Sequence, residues 1–371
     1  MRVKIFCVMK FISIVCLSLS VVLCMSCGNK PKQESGSDST AADATATSAE
    51  ATLVPVIFSA DSAYAFCEAQ CQFGPRIMNS EAHEQCGSWI VRQFQRYGLQ
   101  VIEQRATLKG YDGTPLLSNN IIAQYRPELT DRIIICAHWD SRPWADNDPD
   151  STNWRKPVMA ANDGASGVAV MLELARLISD PKLGEVRRGL NDEQSDAGSD
   201  PQPPNLGGLD FGIDFICFDA EDWGTPQWSD AEDDGNTYAL GAQYWAAHPH
   251  RQGYKARFGI LLDMVGGQNA RFYQESFSLH YAKDIVNSVW QAAKTAGYSG
   301  FFPMEEGGAI NDDHVPVNQT AGIPCIDIIH HVPTTGFGPT WHTLQDDMQH
   351  IDRSTLKAVG QTLVQYLWTL K

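Results

Sequence analysis

The chain is punctuated by short, predominantly apolar runs: Arg132 to Ala137, Ile213 to Phe218, Phe258 to Leu262 and Pro324 to Ile329, of which Ile133 to Ala137 is continuous while Asp214 and Asp327 interrupt the second and the fourth. A strand with one wet face alternates apolar and polar positions, so an unbroken run predicts a strand covered on both faces. Val101 to Thr107 and Asn120 to Tyr125 add two further strands. Elsewhere the apolar positions recur at helical spacing. Asp61 to Phe73 predicts one helix. Asn79-Ser80 offers an N-cap for the next, whose apolar face is Cys86, Trp89, Ile90 and Phe94 and whose end is marked by Gly98. Ser166 to Ile178, Lys283 to Ala296 and Ser354 to Leu370 carry the same period. Helices interleaved with doubly covered strands predict an α/β protein, a three-layer α/β/α sandwich around a mixed, mainly parallel sheet. Ligand sites in such sheets lie beyond the carboxyl ends of the strands, so chemistry is expected directly after each buried run.

The amino terminus has a different pattern. Arg2, Lys4 and Lys10 accompany an apolar stretch, Phe11 to Met25, too short to span a bilayer comfortably. It ends at Cys24-Met25-Ser26-Cys27-Gly28. This layout predicts a signal peptide over residues 1–26, and its cysteine-terminated end resembles a bacterial lipobox with Cys27 as the acylated first mature residue. Gly28 to Thr52 is almost all small, polar or charged and cannot bury enough apolar surface to offset chain entropy, so residues 27–54 are expected as a disordered tether. Residues 55–371 then make one catalytic domain, with Gly184 to Asp210 as a surface insertion. The expected location is the bacterial cell envelope, lipid-anchored, facing the periplasm or the outside.

A formal net charge of −16 argues against nucleic acid and against an anionic membrane surface as partners, which leaves the lipid on Cys27 as the membrane contact. Cys136, Cys217 and Cys325 lie in strand-like runs and are expected as buried thiols. Cys67, Cys71 and Cys86 fall on two adjacent helices, where an oxidising compartment would permit one bridge.

The residues that follow the buried runs are rich in acids and imidazoles. His138-Trp139-Asp140-Ser141 follows the first, and Asn162-Asp163-Gly164-Ala165-Ser166-Gly167 leads into a helix. Glu221-Asp222 follows the Ile213 run, Asp263 closes the Phe258 run, and Trp341-His342-Thr343 comes after the last run and a loop rich in Gly and Pro. A solitary acid pair is usually solvated surface, and a solitary histidine is usually hydrogen-bonded structure. Here the topology would gather His138, Asp163, Glu221, Asp222, Asp263 and His342 at one rim of one sheet. Carboxylates crowded at a partly buried rim repel one another unless a cation lies among them. Mixed carboxylate and imidazole donors suit zinc, whose catalytic sites use three protein ligands and leave one position open.

In this order the motifs resemble those of the zinc aminopeptidase superfamily, from Phe73-Gly74-Pro75-Arg76 to the carboxyl terminus. The resemblance implies a zinc aminopeptidase-like fold, with Asp163, Asp222 and His342 as zinc ligands and Glu221 as general acid/base. It departs from the family at Asp222, where a second glutamate is usual. In the peptidases His138 and Asp263 would complete a second zinc site bridged by Asp163, and the pair of ions would activate water. In the glutaminyl-cyclase branch a single zinc remains and aromatic residues form the substrate pocket. Trp228, Phe337, Trp341 and the segment Asp312-Asp313-His314-Val315-Pro316 resemble that branch. It implies one zinc per chain and conversion of the amino-terminal glutamine of peptides or proteins to pyroglutamate with release of ammonia. Glu221, Asp263 and Asp312 would then be the catalytic carboxylates, with Trp228, Phe337 and Trp341 enclosing the substrate. The alternatives are a di-zinc aminopeptidase and an inactive surface-anchored binding protein. The last predicts gaps in the constellation, and the sequence has none.

Overall fold

The predominantly apolar runs become the centre of a sheet. The structure, a computed structural model, describes residues 52–182, 208–231 and 236–370. Its main sheet contains β1 (Gln100–Lys109), β2 (Pro115–Tyr125), β3 (Arg132–His138), β4 (Gly212–Phe218), β5 (Gly259–Asp263) and β6 (Cys325–Ile329), in the order β1-β2-β4-β3-β5-β6. β3 runs parallel to both β4 and β5, and β5 parallel to β6, while the β1–β2 hairpin adds antiparallel strands at the β4 edge. Successive side chains of a strand point to opposite faces. Ile133, Ile135 and Ala137 therefore enter one core and Ile134 and Cys136 the other, which is why β3 tolerates no polar alternation.

The larger core lies under α1 (Ala60–Cys71), α2 (Glu81–Arg96), α3 (Ala165–Ile178), α5 (Ser276–Thr295) and α7 (Arg353–Thr369). The smaller lies under α4 (Leu240–Ala247) and α6 (His314–Gln319). The three-layer sandwich is as expected from the sequence. Ser80 caps α2, accepting from the His83 N–H at 3.1 Å. α5 begins at Ser276, earlier than the expected Lys283. Glu275 accepts from the Phe277 and Ser278 N–H groups at 2.8 and 2.6 Å, and a kink at Ala282 breaks the apolar period between the two halves.

Two expectations are corrected. The described cysteines are all free, so no bridge joins Cys67, Cys71 and Cys86; the Cys67 thiol instead donates to the Ala161 carbonyl at 3.1 Å. The folded body also starts earlier than residue 55. Val54 is buried and its N–H donates to Gln365 Oε1 at 2.9 Å. The signal peptide, Cys27, the tether up to residue 51 and insertion residues 184–207 lie outside the described residues.

Candidate active site

The site is built from the turns that leave four parallel strands. In the stretch beginning at the last residue of β3, alternate residues address it. The His138 Nε2 lies 3.0 Å from Asp163 Oδ1 and 3.3 Å from Asp263 Oδ1. Asp140 accepts from the backbone N–H groups of Glu221 and Asp222 at 3.0 and 3.1 Å, clamping the turn after β4. Arg142 reaches Asp222 Oδ1 at 3.0 Å.

Asp163 is held from its backbone. Asp346 accepts from the N–H groups of Asn162 and Asp163 at 2.7 and 3.0 Å, and Asn162 Oδ1 accepts from the Gly266 N–H at 2.8 Å. The two glycines of the Asn162–Gly167 motif are sterically required. Gly164 has φ of 106°, and a Cβ there would stand 2.8 Å from the Asp140 carbonyl oxygen; a Cβ at Gly167 would collide with the Leu262 carbonyl oxygen. The final ligand candidate, His342, has φ of 54° and carries Trp341 stacked on its imidazole at 3.9 Å. Its Nε2 is 3.3 Å from Asp222 Oδ1 and 3.5 Å from Asp163 Oδ2. Ala160, Ala220 and Met264 share the left-handed backbone conformation of His342. Each of these residues therefore lies within, or within three residues of, a site side chain.

Two donor triads result, His138/Asp163/Asp263 and Asp163/Asp222/His342, with Asp163 common to both. Their electrostatics fit a divalent cation. Burial, then the charge of Asp222, pushes Asp163 up to about 7, and burial pushes Asp222 to about 7 as well. Asp222 Oδ2 and Asp263 Oδ1 are buried with no hydrogen-bond partner, a state that buried carboxylate oxygens adopt at considerable cost unless an ion engages them. Burial, reinforced by Arg142, holds His342 well below its ordinary range, which keeps the imidazole in its neutral, ligating form.

Asp163, Asp222, Asp263 and His342 form the floor of a cavity of about 480 Å³, with His138 outside its lining. Glu221 and Asp312 share that floor; Tyr238, Met264, Ile310, His331, Phe337 and Trp341 are among the residues that complete the lining. Burial drives Glu221 well above the usual carboxylate range, and Asp222, Asp312 and Asp313 add to this against the opposing charge of His138. Burial and then Asp263 push Asp312 up to about 7. The Phe337 and Trp341 rings meet at 4.3 Å.

The structure thus brings together Asp163, Glu221, Asp222, Asp263, Asp312, Phe337, Trp341 and His342. It does not bring Trp228 to the cavity lining. That ring packs against Trp144 and Trp154 at 5.9 and 6.3 Å, with Arg155 over its face at 4.6 Å, and Tyr238 occupies a wall position instead. Sequence reasoning also passed over Arg142, Asp146, Tyr238, His331 and Asp346. Of these only Arg142 carried a usable signal, its two-residue stagger from His138 and Asp140.

A mainly parallel α/β sandwich with overlapping carboxylate and imidazole triads beyond its strand ends defines a zinc-dependent enzyme of the exopeptidase fold. The match to peptidase family M28 covers residues 120–367, and the chain belongs to that family. A glutaminyl cyclase from Bacteroides thetaiotaomicron is similar at 46% identity, covering 85% of this chain and 99% of that one, with a TM-score of 0.77. A Zn-dependent exopeptidase from Parabacteroides distasonis ATCC 8503 is similar at 45% identity, covering 84% of this chain and 99% of that one, with a TM-score of 0.73. The glutaminyl-peptide cyclotransferase of Gloydius blomhoffii is 26% identical over 307 residues, 75% of this chain and 74% of its own length.

Proposed function

We infer that this chain is a zinc-dependent glutaminyl-peptide cyclotransferase, converting the amino-terminal glutamine of peptides or proteins to pyroglutamate with release of ammonia. The observation that carries this reading is the near-complete overlap with a solved glutaminyl cyclase, on a site whose carboxylates and aromatic walls share one cavity. Asp163, Asp222 and His342 would hold one zinc ion. Bound there, zinc supplies Lewis acidity toward the γ-carboxamide oxygen of the substrate.

The reaction forms a bond from the α-nitrogen to the side-chain carbonyl carbon and breaks the bond to the carboxamide nitrogen. One proton must pass from the α-amine to the departing nitrogen, and no water is consumed. Glu221 lines the cavity and is made more basic by its surroundings, so it takes this proton and returns it to the leaving ammonia. Asp312 and Asp263, on the same floor, complete the proton-handling group. Phe337 and Trp341 enclose the methylenes of glutamine and hold the chain folded toward ring closure, the arrangement from which much of the rate gain of an intramolecular reaction comes.

A di-zinc aminopeptidase is the second reading, because the triad of His138, Asp163 and Asp263 is geometrically complete. Metal analysis of the purified protein, with parallel incubation on a glutaminyl peptide and a leucyl amide, separates the two. One zinc per chain with ammonia and pyroglutamate is the expected result. Two zincs with release of the amino-terminal residue would replace the cyclase by the peptidase.

The proposal extends to location: export by the signal peptide and anchoring by a lipid on Cys27. Replacing Cys27 by Ser should move the protein from the membrane fraction to the soluble fraction. Retention on membranes would remove Cys27 as the anchor.

A further inference from the structure

Arg142 is 1% exposed and belongs to none of the roles above. Its Nε and Nη2 donate to the two oxygens of Asp146, both at 2.7 Å. Its Nη1 donates to Asp222 Oδ1 at 3.0 Å and approaches the Asp222 carbonyl oxygen at 3.3 Å. Asp146 in turn places Oδ1 3.6 Å from His342 Nδ1, and its Oδ2 accepts from the Gln227 N–H at 3.1 Å. One guanidinium therefore touches one member of the Asp163/Asp222/His342 triad directly and reaches another through a single carboxylate.

We propose that Arg142 is a positioning residue for the metal, fixing Asp222 directly and His342 through Asp146. A carboxylate facing Nδ1 leaves Nε2 of His342 as the ligating nitrogen, the outer-shell arrangement that orients imidazole ligands. The same guanidinium restrains Asp222 through Oδ1; this arm is one methylene shorter than a glutamate, and its Oδ2 has no hydrogen-bond partner. A planar fork can grip Asp146 with two parallel bonds while its remaining arm serves Asp222, a geometry that a compact ammonium cannot reproduce. Its fixed positive charge also offsets part of the negative charge that Asp146, Asp163 and Asp222 concentrate in a buried volume. The assignment holds for either reaction at this centre.

The test is zinc affinity by competition with a chromophoric chelator, together with the visible spectrum of the cobalt-loaded protein, for Arg142→Met, Arg142→Lys and Asp146→Asn. Arg142→Met should weaken zinc binding by about 10–100-fold and change the cobalt spectrum. Arg142→Lys should recover only part of that loss. Asp146→Asn should weaken zinc binding in the same direction, because His342 loses its charged partner. A folded Arg142→Met protein with wild-type zinc affinity and an unchanged cobalt spectrum overturns the assignment, even if its melting temperature falls. Should that variant fail to fold, wild-type zinc affinity in Arg142→Lys and Asp146→Asn overturns it equally.

Discussion

Glu221→Gln should lower turnover on glutaminyl peptides by about two to four orders of magnitude, the usual range for losing a positioned general acid/base, while zinc content stays at the wild-type level. Glutamine preserves the shape of the side chain and its hydrogen-bonding reach, but cannot accept and return a proton at neutral pH. The backbone of Glu221 is held independently of its side chain, since its N–H donates to Asp140 at 3.0 Å. The turn should therefore survive the substitution. Glu221 is also absent from both donor triads, so the metal has no reason to leave. Steady-state rates with metal analysis on the same preparation make the check. Near-wild-type turnover would take the proton transfer away from Glu221, and loss of zinc would place it among the ligands.

Asp163→Ala should abolish turnover by a different route, by emptying the centre. Asp163 is the one residue common to the two triads, so its loss leaves each with only two protein donors. Zinc retention should fall by more than the 10–100-fold typical of an outer-shell defect. Added zinc should restore little activity. The backbone clamp from Asp346 to the Asn162 and Asp163 N–H groups does not depend on the lost side chain, so the loop should keep its path. Metal analysis after gel filtration, with circular dichroism to confirm folding, reads the result. Stoichiometric zinc in a folded Asp163→Ala protein would dismantle the shared-ligand geometry. His138→Ala is the informative companion: a single-zinc enzyme keeps its ion, whereas a two-zinc enzyme loses one.

The centre of the fold was legible because burial on both faces leaves a mark that needs no partner to be recognised. β3, β4, β5 and β6 all coincide with predominantly apolar runs to within a residue or so, although Asp214 in β4 and Asp327 in β6 break the pattern. The positions of His138, Asp163, Asp222, Asp263 and His342 followed from the same fact, since carboxyl strand ends converge in space whatever separates them in the chain. What stayed hidden depends on partners far away in sequence. Asp146 looks like any loop acid until Arg142 and His342 are seen beside it. Trp228 and Tyr238 lie close together in sequence, and nothing in composition says which ring turns toward the cavity and which toward Trp144 and Trp154. Periodicity also failed where the helix itself is irregular, as at Ala282 in α5.

The left-handed residues around the site have a consequence for how the ion is taken up. Ala160, Ala220, Met264 and His342 each hold a backbone conformation that costs on the order of 1–3 kcal/mol for a residue other than glycine. Ala160 and Ala220 are fully buried, so the packed body of the protein helps to sustain that strain. Packing at these positions should therefore help to hold the donor side chains in place. Relaxing any of these positions to glycine would ease the backbone, at the expense of the readiness with which the emptied centre accepts its ion again.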